Sequence, residues 1–77
     1  MTNKQFRENE EKFKNRIIIA ESRLQAALTA YNAYEGNDTA EEHRLSLMWQ
    51  TASANLVEMQ KRLDRLHKEH FQHLQAA

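Results

Sequence analysis

The sequence predicts an all-α protein: two long helices folded back on each other as an antiparallel, coiled-coil-like hairpin. Three observations carry this. The 77 residues include one glycine and no proline, so almost nothing interrupts helical backbone. That glycine, Gly36, sits in the polar cluster Glu35-Gly36-Asn37-Asp38-Thr39. On both sides of it, apolar residues recur in alternating steps of four and three, the repeat of a helical seam. The expected organisation is a single domain, with a helix over 3–35, a turn over 36–38 and a second helix over 39–75.

The first helix opens on Thr2-Asn3-Lys4-Gln5, a capping-box pattern that makes Thr2 the N-cap. Its stripe is Phe6, Phe13, Ile17, Ala20, Leu24, Ala27, Tyr31 and Tyr34, with Glu10 filling the gap between the two phenylalanines. At 1.5 Å per residue this helix is about 50 Å long. Glu8 with Lys12, and Glu10 with Lys14, are acid-before-base pairs four residues apart, each worth a few tenths of a kcal/mol. Ala26, Ala30 and Ala33 form a small-residue face that lets another helix approach closely; plain helix propensity explains them equally well.

The turn is read from its residue types. Gly36 suits the position just past a helix end, where a positive φ closes the last turn. Two capping boxes then overlap, Asp38 with Glu41 and Thr39 with Glu42, so either residue can start the second helix.

The second helix carries the stronger seam: Leu45, Trp49, Ala52, Leu56, Met59, Leu63, Leu66, His70 and His73. Folding back at Gly36 sets Tyr31 beside Leu45, Ala27 beside Trp49 and Leu24 beside Ala52. It continues with Ala20 beside Leu56, Ile17 beside Met59 and Phe13 beside Leu63. Large meets small at three of these levels, as interdigitating layers require.

Several apolar residues fall outside both seams. Ile18 and Ile19 are β-branched and have little reason to face water unless something covers them. Leu28, Leu47, Met48, Val57, Phe71 and Leu74 are also left over, and methionine suits an adaptable binding surface. A chain this short rarely builds a sufficient core alone, so self-association or a partner protein is expected. The candidate partner-binding residues are Ile18, Ile19, Leu28, Leu47, Met48, Val57 and Phe71.

Composition narrows the function classes. Net charge is zero with histidine neutral, whereas duplex binding usually needs a basic excess. The basic patch of Lys61, Arg62, Arg65 and Lys68 is interrupted by Asp64 and has few aromatics nearby. The absence of cysteine removes disulfides, thiolate metal sites and cysteine nucleophiles. His67, His70 and His73 recur every third residue but spread over about 120° of the helix. They read as groups suited to a helix C-terminus, and no metal or other cofactor is expected. Ser22, Ser46 and Ser53 lack a nucleophile elbow, and no glycine loop cradles phosphate, so an enzyme is not expected. The longest strongly apolar run, Ile17-Ile18-Ile19-Ala20, is too short to span a bilayer, and the first residues lack a signal peptide's apolar core. No nucleic acid and no membrane are expected as partners, and the expected location is the cytoplasm.

With its size and two-helix layout, the chain resembles a known group. The features are Arg23-Leu24-Gln25-Ala26-Ala27-Leu28 in the first helix, the polar turn Gly36-Asn37-Asp38 and the apolar seam of the second helix. They are similar to the small helical-hairpin co-chaperones of type III secretion systems. His43-Arg44 stands where members of that family often place a tyrosine followed by glutamine, and the first helix begins with a longer charged stretch. The resemblance implies a hairpin that binds a helical-repeat chaperone, which keeps the needle subunit soluble before export, so that the needle subunit is an indirect partner. The alternative is a self-associating structural or regulatory module, a homodimeric four-helix bundle.

Overall fold

The computed structural model describes residues 2–76. It is an all-α hairpin: α1 spans Asn3–Ala33 and α2 spans Thr39–Ala76, lying side by side over their length. The Cα trace measures 61 × 16 × 12 Å, a rod one helix thick in one direction and two in the other.

α1 begins as its residue types dictate. Thr2 is extended at φ −76° and ψ 162°. Its Oγ1 accepts from the Gln5 N–H at 3.1 Å, and its own N–H donates to Gln5 Oε1 at 2.9 Å. Both halves of the capping box are therefore made, and two orphan donors are satisfied.

The turn differs from the expectation. α1 stops at Ala33 rather than residue 35, and Gly36 does not take the left-handed conformation. Tyr34 ends the helix by becoming extended, at φ −72° and ψ 121°. Its ring then folds over the glycine. A Cβ on Gly36 would lie 2.6 Å from the Tyr34 hydroxyl and 2.7 Å from Cζ, so glycine is needed for close approach and not for positive φ. The hydroxyl accepts from the Asp38 N–H at 3.0 Å and donates to the Asp38 carbonyl at 3.1 Å.

Of the two overlapping caps, Asp38 is the one used. Its Oδ1 accepts from the N–H groups of Ala40 at 3.0 Å and Glu41 at 3.4 Å, which places Thr39 inside the helix. The second half of that box is not made. The Asp38 N–H is already taken by Tyr34, and Glu41 instead pairs with Arg44.

The seams pack as the heptads require. Ala20, Ala27, Leu45 and Leu66 are buried, and the other seam residues are half-buried except His73, which is exposed. His73 lies in the last turn of α2, where little of α1 remains to cover it. Tyr31 and Trp49 meet at 6.3 Å between ring centroids, tilted by 57°. The expected register, extended toward the termini, brings Phe6 opposite His70, and their rings stack at 3.8 Å. No large side chain among the described residues is fully enclosed. The interface is a line of alanines, two buried leucines and half-covered aliphatic and aromatic side chains, not a three-dimensional core.

Candidate helix-binding groove

A two-helix seam leaves two flanks, and the residue beside each seam position decides what a flank presents. Residues immediately before a seam position lie on one side, and residues immediately after it lie on the other, because successive residues are 100° apart. The preceding residues in α1 include Arg16, Ile19, Arg23, Ala26 and Ala30. In α2 they include Arg44, Met48, Thr51 and Asn55.

All of these except Arg16 and Ile19 line an open groove of about 890 Å³ between the two helices. Its floor is short because Ala26, Ala27, Ala30 and Ala52 contribute only methyl groups, while Leu47 and Met48 rise beside it. A smaller depression of about 280 Å³ lies next along the same flank, between Arg16, Ile19 and Met59, and shares Arg23 and Asn55 with the first. Together they form one trough running from the level of Ala30 to that of Arg16. Two residues of the small-residue face, Ala26 and Ala30, therefore do more than favour helix: with Ala27 and Ala52 they form the recess, while Ala33 lies outside it.

The electrostatics of the trough are one-sided. Its lining includes Arg16, Arg23 and Arg44 and no carboxylate. Arg44 is held by Glu41 outside the lining, which keeps the Glu41 carboxyl below its usual range; its Nη1 also lies 3.3 Å from Met48 Sδ. The Arg16 guanidinium stands 5.6 Å above the Phe13 ring. Arg23 has no ion-pair partner among the described residues.

The seven candidate residues do not share one face. Ile19, Leu47 and Met48 line the trough. Ile18, Leu28, Val57 and Phe71 follow seam positions and belong to the opposite flank. Six of the seven are exposed, from 45% for Met48 and Val57 to 62% for Ile18, whereas Leu28 is half-buried. Arg16, Thr51 and Asn55 line the trough without standing out in the sequence, and Arg23 stands out there only as part of the Arg23–Leu28 motif; the signal that finds all four is their place just before a seam residue.

The histidines play parts that spacing alone does not reveal. His67 Nε2–H donates to Glu10 Oε2 at 2.7 Å, an ionised carboxylate being able only to accept. That hydrogen bond, with a weaker contribution from Lys14, holds the Glu10 carboxyl below its ordinary value. His70 is occupied by Phe6. Among the described residues no three metal-ligating side chains converge, and no helix is long and apolar enough to cross a membrane.

No protein-family model matches the chain, and neither a curated protein nor a solved structure does.

Proposed function

We propose that the chain is a small co-chaperone of a type III secretion system. It acts in the cytoplasm and binds a helical-repeat chaperone that keeps the needle subunit soluble before export. The observation that carries the reading is an apolar trough between two helices in a protein that buries only four described side chains, Ala20, Ala27, Leu45 and Leu66. A hairpin so thinly packed gains most from a further helix laid along it, and stacked helical repeats present such helices on their surface. The family resemblance supplies the specific partner.

The test is co-expression with the helical-repeat chaperones of a secretion system encoded in the same genome, followed by purification through a tag on the hairpin. The chaperone should be retained by the unaltered chain and lost with Met48→Asp, while far-ultraviolet circular dichroism shows an unchanged helix content. If none is retained by the unaltered chain, the reading fails.

The self-associated four-helix bundle is the second reading. It is favoured by the exposed Ile18, Val57 and Phe71 on the flank opposite the trough. A stable dimer at low micromolar concentration that Ile18→Asp with Val57→Asp splits, while Met48→Asp does not, would establish it.

A further inference from the structure

We infer that the trough is built to take an acidic amphipathic helix about fourteen residues long. This rests on the helix-binding reading above and adds the chemistry of the partner. Length comes from the spacing of the lining residues: Arg16 and Ala30 mark its ends along α1, a distance of about 21 Å, or four turns. Shape comes from the floor. Ala26, Ala30 and Ala52 leave room for medium-sized apolar side chains of the incoming helix, and Met48 can repack around them. Charge comes from the lining, which carries arginine and no carboxylate; Glu58, the acidic residue just before Met59 on this flank, is paired with Arg62. Among the described residues neither Arg23 nor Arg16 has an ion-pair partner, and Arg16 stands over the Phe13 ring.

A second copy of the chain fits less well. Two-fold pairing of trough on trough would set the arginines of one copy against those of the other, and like charges so placed repel. A partner helix with an apolar stripe flanked by glutamate meets both requirements at once.

The test uses three fluorescein-labelled amphipathic peptides of one leucine and alanine stripe, with glutamate, glutamine or lysine flanks. Their binding to the full chain is followed by anisotropy. The glutamate peptide should bind at least about fivefold tighter than the lysine peptide at low salt, with the margin shrinking as salt rises. Arg16→Glu combined with Arg23→Glu should invert the order, and Met48→Asp should weaken all three. Equal binding of the peptides, no binding at all, or an order that survives the double reversal overturns the inference. So does a homodimer that Met48→Asp dissociates, since the occupant would then be a second copy.

The two proposals fail separately. A chaperone that co-purifies with the unaltered chain and also with Met48→Asp and the double-arginine variant would keep the co-chaperone reading and remove the trough from it. Peptide selectivity without a co-purifying chaperone would do the reverse.

Discussion

Replacing Gly36 with alanine separates two reasons for a glycine at a turn. The new Cβ would lie 2.6–2.9 Å from the hydroxyl, Cζ and Cε2 of Tyr34, so the ring must swing away. Its hydroxyl then loses both hydrogen bonds to the Asp38 backbone, at 3.0 and 3.1 Å. Each exposed bond is worth about 0.5–1 kcal/mol net, which gives a loss of roughly 1–2 kcal/mol. Because the backbone at Gly36 is not left-handed, alanine also stiffens the unfolded chain and returns about 0.4–1 kcal/mol. The net cost should be about 1 kcal/mol, or about 4–8 °C in Tm for a domain of this size. The assay is a double-mutant cycle in urea at fixed protein concentration, with Gly36→Ala and Tyr34→Ala singly and together. Once the ring is gone, Gly36→Ala should become neutral or stabilising. If it costs the same with and without Tyr34, the glycine serves its backbone conformation and the account of the turn is wrong.

Two further perturbations probe the seam and its charge pairs. Ala20 is 2% exposed, so Ala20→Leu should destabilise by about 1–3 kcal/mol in urea unfolding; a neutral or stabilising result would show that the two helices are not closely apposed there. The Glu10 and Glu41 carboxyls titrate below the ordinary glutamate value of 4.5 in the folded chain, so the unfolded chain takes up protons first as the solution is acidified. Their stabilising contribution should therefore be complete above about pH 4.5 and fade as pH falls through the lower folded values. Glu10→Gln should flatten that part of the pH–stability curve, and an unchanged curve would remove the His67 pair from the account.

Local pattern made most of the architecture legible. Both seams, the Thr2 cap and the antiparallel register follow from residue spacing, because a helix converts sequence interval directly into direction. Features that depend on a side chain crossing from one segment to another were not legible in the same way. Gly36 reads as a backbone glycine because the position of glycine after a helix is a local rule, whereas the ring of Tyr34 arrives by a change of backbone direction that no interval encodes. In the sequence Glu10 fills the gap in the first stripe and pairs with Lys14, and His67 reads as a group suited to a helix C-terminus. Only when the register is carried to the far end of the hairpin do they become partners. Hydrophobicity alone does not distinguish the outer apolar residues of the two flanks; their order relative to the seam does, and it sets Ile19 and Met48 apart from Ile18 and Val57.

The 61 × 16 × 12 Å shape has a consequence for how the protein responds to whatever binds it. With no interior shared by distant residues, each level of the hairpin leans only on the levels above and below, much as units do in a linear array. Stabilisation applied at one stretch decays along the rod instead of reaching the whole molecule. A helix seated between Arg16 and Ala30 would slow the opening of that middle stretch, while the open end, closed by Phe6 and His70, would go on breathing almost as before. A helix held firmly in the middle of the rod would thus leave the Phe6–His70 end to depend on its own contacts.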